Sequence, residues 1–513
     1  MKKSLLALAI ASSASLNVMA ATSQPNIVTI MVDDVSPSDI SAYHRGLGAI
    51  ETPNIDRIAK RGMMVSDYYA QGSSTAGRSA FITGQYPIRT GLTTVGQPGS
   101  HIGIQDQTPT LAQMLKDKGY STVAVGKDHI GDRNEFLLTR HGFDEFFGFL
   151  YHLNVMEMPE QPEFPKDPNF VGRPRNVIHS IATDKFDRTN DPRWGTVGKQ
   201  KIEDKGPLTI ERMKHVDDEF VDFATNWIDQ HQAQSPDKPF FMWFNPSRMH
   251  QQIHVKDEYL GVSGHTEYFD ALKELDDQVG VLLDKLDKEG LTDNTIIMFT
   301  ADNGINLDHW PMAGTAQFKG QKGTTWDGAF RVPMLVSWPG HIPQGQYTGE
   351  FMTSEDWVPT LMAAAGEENI KQKLLNGTKI NGTSFKAHLD GYNQLGMLTK
   401  GEKSPRQEFF YFNETDLNAV RVGKWKVHLK TKTEWVEPAK SWPLGVMIDI
   451  KADPYERTPE TRGWFLWMKE RSWAVPIIQQ EMVKYQQSMK AFPPAQTSGG
   501  IGMSDKSIVG DKN

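Results

Sequence analysis

Five short runs of this chain are apolar at nearly every position: Asn26–Val32, Ser121–Gly126, Pro239–Phe244, Thr295–Thr300 and Met334–Trp338. Runs of this kind suit strands buried on both faces, as in a mostly parallel sheet. Segments of helical period lie between them. Thr52–Gly62 opens near a Pro, closes on a Gly and puts Ile55, Ile58 and Ala59 on one face. Thr108–Tyr120 also ends at a Gly. Within Glu211–Gln230, residues Val216, Phe220, Phe223, Ala224 and Trp227 recur at helical spacing, and residues 266–289 repeat this with Ala271, Leu272, Leu275, Val279, Leu282 and Leu286. Alternating strands and helices predict an α/β architecture, a large mostly parallel sheet sandwiched by helices. Residues 150–210 lack periodicity and read as a long excursion over the sheet edge, equally a place for substrate-selecting loops or a plain insertion, so no site is assigned there. After about residue 365 the pattern changes. Phe409–Phe412, Ala419–Lys430 and Val446–Ile450 alternate, which predicts a smaller antiparallel sheet of four strands with a packed C-terminal helix.

Composition narrows the class. The chain has 513 residues, a net charge of −8 and no Cys. Its length suffices for two units, and its charge argues against a nucleic-acid partner. Without Cys there are no disulfides, zinc–thiolate sites or Cys nucleophiles. Lys2 and Lys3, the apolar LLALAIA stretch and the small residues before Ala21 form a secretory leader, residues 1–20. The leader is too short to span a bilayer, and no later segment is long and apolar enough. The mature chain, at about −10, is expected in the periplasm or outside the cell. It divides into a main unit (21–384), a smaller α+β unit (385–494) and a Gly/Ser/Lys-rich tail (495–513) expected to be mobile.

Four of the apolar runs share one property: polar residues of specific types follow them. Asp33-Asp34 follow the first, and adjacent carboxylates after a buried strand repel unless a cation joins them. Lys127, Asp128 and His129 follow the second, His250 the third, and Asp302-Asn303-Gly304 the fourth. Open α/β sheets bind ligands outside the carboxyl ends of their strands, so these residues belong to one edge. Ser73–Gly84, SSTAGRSAFITG, starts with small residues that let an anion approach a helix N-terminus. Taken alone, it also fits a Ser-rich turn and cap.

The Ser74-Thr75-Ala76-Gly77-Arg78 stretch, with Thr83-Gly84 at its close, resembles the signature of the type I sulfatases of the alkaline phosphatase superfamily. There a Cys or Ser is oxidised to formylglycine (3-oxoalanine). Ser74 stands for the commoner Cys and Ala76 for the commoner Pro, the variant similar to those matured by a radical-SAM enzyme. Other matches are Thr52–Ala59, Gly126–Gly131 (with Asp128 where Trp is usual, a charge expected to alter the pocket wall), Lys319–Pro333 (with Asp327 for Glu), the helix 354–366, Arg421-x-Gly423-x-Trp425-Lys426 and Asp453-Pro454. The resemblance implies an alkaline-phosphatase-like sheet and hydrolysis of a sulfate monoester. Ser74 would be the aldehyde precursor; its hydrate attacks sulfur, the alcohol leaves, and the second hydroxyl expels sulfate. By the same match Asp33, Asp34, Ser74, Asp302 and Asn303 would hold one Ca²⁺, with Mg²⁺ possible for such oxygen ligands. Arg78 and Lys127 would steady the diol and the ion's ligands, and His129 would accept a proton. His250 and Lys322 would bind the sulfate, one of them protonating the leaving oxygen. The implied partners are a sulfated small molecule or glycan, the maturase and the secretion machinery.

Two rivals stand beside this reading. One is a phosphoesterase of the same superfamily using unmodified Ser74; the other is a glycan-binding protein without catalysis, for which the 13 Trp residues offer stacking surfaces. His152, His309, Trp310 and Glu414 are candidate pocket residues, while His254, His265 and His341 carry no assignment.

Overall fold

The computed structural model describes residues 24–498 except Val95 and 308–316. The expected leader, His309, Trp310 and most of the tail lie outside the described residues. In chain order the strands of the large sheet are β1 (Asn26–Val32), β2 (Met63–Tyr69), β3 (Ser121–Lys127), β4 (Glu145–Phe149), β5 (Ile178–Asp191), β6 (Gly195–Asp204), β7 (Phe240–Asn245), β8 (Thr295–Ala301), β9 (Met334–Ser337) and β10 (Gln346–Thr353). Across the sheet they run β10-β2-β9-β8-β1-β7-β3-β4-β5-β6. The five central strands, β8 to β4, are mutually parallel. Every residue of β1, β7 and β8 is buried, which requires cover on both faces. The doubly covered sheet expected from the apolar runs is the one observed.

Strand β9 runs against both β8 and β2. Its entrance therefore opens on the edge where β1, β3, β7 and β8 end. Lys322, which precedes β9, reaches the same edge as the residues that follow the parallel strands.

The structure departs from the sequence pattern in instructive places. The stretch 150–210 contains the hairpin β5–β6, whose residues are mostly exposed. Polar side chains on both faces leave no two-residue period to read. The helix expected over Glu211–Gln230 is broken at His215, giving Ile210–Met213 and then Val216–Gln234. Strand β2 goes unseen in the sequence because Asp67 interrupts its apolar run.

A two-residue turn closes the hairpin of β11 (Thr378–Ile380) and β12 (Thr383–Phe385). The smaller sheet holds β13 (Glu408–Asn413), β14 (Asp416–Val422), β15 (Trp425–Thr431) and β16 (Lys440–Asp449), all antiparallel. Helix Val475–Ala491 packs on it through Tyr485, stacked 4.6 Å from Phe410. The main buried cluster extends to Leu398 and the second takes in Phe409–Phe412, so residues 385–398 pack with the large sheet rather than the small one. The start of the tail is not loose: Ala495 N–H donates to the Arg89 carbonyl (2.7 Å), and Gln496 Nε2 donates to the carbonyls of Thr90 and Gly103. Among the described residues no helix is long and apolar enough to cross a membrane.

Buried ion pairs join the two sheets. Arg421 on β14 forks onto Asp67 of β2 at 2.9 and 2.7 Å, both side chains buried. Burial pushes the Asp67 carboxyl up, but Arg421, with Arg331 and Lys451, holds it well below the usual carboxylate range. Lys426 on β15 bridges Asp327 and Glu456, each at 2.8 Å, and Tyr69 and Tyr411 donate to the same Asp327. Breaking one side of such a pair strands a buried charge, at a cost of about 3–5 kcal/mol. Arg421→Leu is expected to lower stability by about that amount in denaturant unfolding, and Asp67→Leu added to it to restore part of the loss. Equal stabilities for the wild type and Arg421→Leu would show that this clamp contributes nothing.

Candidate active site

The site begins at a helix start. Ser73 is extended (φ −157°) and caps the helix Ser74–Thr83, which Gly84 ends in the left-handed region (φ +67°). All ten helical residues are buried. Ser74 is the first of them, beside backbone N–H groups that have no partner within the helix. Gly77, one turn along, allows the close approach that the site needs. A Cβ there would lie 1.8 Å from the Asp302 carbonyl oxygen.

Around Ser74 the strand ends converge. Its hydroxyl donates to Asp33 Oδ1 (2.8 Å) and contacts Asn303 Oδ1 at 3.0 Å. Lys127 Nζ lies 3.2 Å and Lys322 Nζ 3.4 Å from the same oxygen. Arg78 holds the group together: Nη2 donates to Asp33 Oδ2 and Nε to Asp302 Oδ2, each at 2.9 Å, while Nη1 donates to the Lys127 carbonyl at 3.1 Å. Lys127 Nζ donates to Asp33 (2.5 Å), and Asn303 Nδ2 and Lys322 Nζ both donate to Asp34 Oδ1 at 2.6 Å. All these residues are buried.

The electrostatics are those of three carboxylates facing three cations inside the protein. Burial raises Asp33, but Lys127, Lys322, His250 and Arg78 overcome it and hold its carboxyl well below the usual range. Asp34 is different. Burial, with Asp33 and Asp302 nearby, pushes it up to about 7 despite Lys322. Burial and the Asp33 charge also raise Asp302. Asp34 Oδ2 and Asp302 Oδ1 are buried without a hydrogen-bond partner. Two unpartnered carboxylate oxygens, a third carboxylate and an amide oxygen fit a hard divalent cation, which would relieve the mutual repulsion. Asp33, Asp34 and His250 offer ligand atoms within 4.8 Å of one another. The unpartnered oxygen of Asp302 favours the all-oxygen set over one containing His250.

His250 reaches the site on a loop fixed from behind. Asp217 accepts from Ser247 N–H (2.7 Å) and from Arg248 (2.6 Å), while Arg248 also pairs with Glu274. The Asp33 N–H donates to the Arg248 carbonyl, and the Met249 N–H donates back to the Asp33 carbonyl. His129 sits at φ +63° and Asp34 at φ +54°, a region that costs free energy for residues other than Gly and recurs at functional sites. Burial, then Lys127 and His152, push the His129 imidazole well below its ordinary value, and both ring nitrogens lack a hydrogen-bond partner.

A cleft of about 410 Å³ opens over this floor, lined by Ser74, His129, His250 and Lys322 below and by His152, Asn154, Gln251, Asn306 and Trp435 above. The cleft therefore takes its upper wall from several loops, and sequence pattern pointed to only one of these residues, His152. Trp435 comes from the loop between β15 and β16, where no periodic signal exists. Glu414 lines a separate crevice of about 10 Å³ beside Ala76. Asp128, expected to alter the pocket wall, is buried instead, and burial raises its carboxyl well above the usual range. It is absent from the described lining of the cleft.

Gly77→Ala is expected to push Asp302 away from Arg78 and lower sulfate-ester turnover by at least about 100-fold, while far-ultraviolet circular dichroism keeps its wild-type shape. Wild-type turnover in this variant would show that the close approach is dispensable.

The sulfatase family model matches residues 25–367. The N-acetylgalactosamine-6-sulfatase of Sus scrofa is 30% identical over 446 residues, covering 84% of this chain and 76% of its own length. The arylsulfatase A of Bos taurus is 32% identical over 434 residues, covering 81% and 76% respectively. Among solved structures, the PsFucS1 sulfatase from Pseudoalteromonas sp. aligns with a TM-score of 0.77 at 26% identity over 92% of each chain. The structure of Ps i-CgsB in complex with k-i-k-neocarrahexaose aligns with a TM-score of 0.68 at 25% identity, over 92% of this chain and 94% of that one. The chain belongs to the sulfatase family and is a sulfuric ester hydrolase.

Proposed function

We propose that this chain is an exported sulfatase that releases sulfate from an aryl or carbohydrate monoester, with residue 74 matured from Ser to formylglycine. The observation that carries the proposal is the position of the Ser74 hydroxyl. It lies at the floor of the cleft and faces Asp33, Asn303, Lys127 and Lys322 together. A serine sulfated on its single hydroxyl has no second hydroxyl with which to expel the sulfate; a hydrated aldehyde has one. The donor set of Asp33, Asp34, Asp302 and Asn303, with the oxygen of residue 74, fits Ca²⁺, or Mg²⁺ in its place. When bound, the ion supplies charge that neutralises sulfate oxygens and favours ionisation at residue 74.

The chain's own groups divide the remaining work. Arg78 fixes Asp33 and Asp302 relative to each other, and Lys127 stabilises negative charge on the oxygen of residue 74. Lys322 lines the cleft and grips a sulfate oxygen. Burial lowers its proton affinity, but Asp34, Asp33 and Asp302 more than compensate, so it is held as a cation and is a poor acid. His250 lines the same cleft and is the other group placed to protonate the leaving oxygen. His129 takes the proton when sulfate is expelled. Each proton transfer contributes about 10²–10⁴-fold. Export rests on the leader at residues 1–20, and maturation at a Ser rather than a Cys on a radical-SAM enzyme.

Mass spectrometry of the peptide spanning residue 74, from active enzyme made in a host with a Ser-type maturase, is expected to show a loss of about two hydrogen masses. The same preparation is expected to release sulfate from 4-nitrophenyl sulfate much faster than phosphate from 4-nitrophenyl phosphate. Unmodified Ser74 in fully active enzyme would refute the aldehyde chemistry, and preference for phosphate would favour the phosphoesterase rival.

A further inference from the structure

Trp435 gives the cleft a large aromatic side chain. Trp435 belongs to the loop joining β15 and β16, yet it stands over the floor beside Lys322. The Lys322 ammonium lies 5.9 Å from the centre of its ring. The indole is packed against Gly323, where a Cβ would come within 2.5 Å of the ring. Gly323 is thus the flat seat of the indole, and its φ of +75° also suits Gly. The seat is tied down: Asn413 Nδ2 donates to the Gly323 carbonyl (2.7 Å), and the Lys432 N–H, three residues before Trp435, donates to Thr325 Oγ1 (3.0 Å). Val436, next in sequence, also lines the cleft and is 94% exposed.

The rest of the lining mixes amide and imidazole side chains with the apolar Pro98, Val155 and Met158. Asn154 contacts His152 at 3.0 Å, and Asn306 donates to Gln251 at 2.6 Å. His152 stacks on His250 with ring centres 5.5 Å apart. Among the described lining residues there is no carboxylate, and Lys322 is the one Lys or Arg. An aromatic face in the same cleft as amide and imidazole groups suits a flat ring with hydroxyls on its rim. It does not suit a second anionic group.

We propose that Trp435 is a specificity-determining residue: its indole stacks on the ring that carries the scissile sulfate, and that ring is a pyranose. The proposal rests on the sulfatase reading of the site. Distance assigns the ring. Lys322 Nζ is 3.4 Å from the oxygen of residue 74 and 5.9 Å from the indole centre, so one sugar unit spans from the sulfate grip to the platform. The small C-terminal sheet thereby contributes to substrate choice as well as to stability.

The test uses the full chain in two forms. The unmodified Ser74 protein with Ca²⁺ is titrated calorimetrically with galactose 6-sulfate, N-acetylgalactosamine 6-sulfate, fucose 4-sulfate, phenyl sulfate and methyl sulfate. The matured enzyme is assayed for sulfate release from the same esters. At least one sugar sulfate is expected to bind tighter than methyl sulfate by about tenfold, the scale of one aromatic stack. Trp435→Ala is expected to remove that preference and Trp435→Phe to keep most of it. In turnover, the ratio of kcat/KM for the sugar sulfate to that for methyl sulfate is expected to fall by about tenfold in Trp435→Ala. An unchanged preference in Trp435→Ala would overturn the platform, and turnover of phenyl sulfate with no sugar sulfate accepted would overturn the pyranose. Failure of the underlying reading looks different: the matured wild type would release sulfate from none of the esters.

Discussion

Three carboxylates buried at one sheet edge dominate this molecule. Asp33, Asp34 and Asp302 follow adjacent parallel strands, β1 and β8, and cannot all ionise in a dry interior without compensation. Arg78, Lys127 and Lys322 supply it, each arriving from a different element. The hydroxyl of Ser74 is held where these six groups meet. A divalent cation, as proposed for this site, would leave net positive charge there for a sulfate ester. Much of the fold can be understood as the means of keeping that arrangement in place. The parallel strands deliver the acids, and the buried helix from Ser74 delivers the serine and Arg78. The reversed strand β9 lets Lys322 enter from the same side.

The smaller sheet is part of the same device. Asp327 lies five residues after Lys322 and is held by Lys426, Tyr69 and Tyr411, while its backbone N–H donates to Glu456 at 2.7 Å. The Lys322 N–H donates to the Ile305 carbonyl, and the Gly304 N–H donates to the Ala329 carbonyl. The segment carrying Lys322 is thus pinned between the end of β8 and the small sheet. The Arg-x-Gly-x-Trp-Lys pattern gains a physical meaning here. Arg421 and Lys426 are charges buried against acids of the larger unit, Gly423 makes the turn between β14 and β15, and Trp425 packs in the second core.

The sequence made the floor of the site legible and left its walls obscure. Strands buried on both faces are almost wholly apolar, so the polar residues that end them stand out, and Asp33, Asp34, Lys127, Asp302 and Asn303 could be placed at one edge. The signature around Ser74 added the helix start. What stayed hidden lacks periodicity. Trp435, Gln251 and Asn306 sit on loops whose paths no local pattern determines, and the β5–β6 hairpin is polar on both faces. Asp67 concealed β2 because its partner, Arg421, lies 354 residues away. The role of Asp128 was misjudged for a related reason: a charged residue beside Lys127 and His129 looked like pocket wall, whereas it turns into the interior.

The proposed chemistry depends on Asp302 sharing one cation with the Asp33–Asp34 pair. Calorimetric titration of Ca²⁺ into the metal-free protein and into Asp302→Ala measures this directly. The account predicts one site per chain in the wild type and affinity reduced by at least about 100-fold in the variant, the loss expected when one charged ligand is removed from a carboxylate site. Equal affinity and stoichiometry in the two proteins would contradict it.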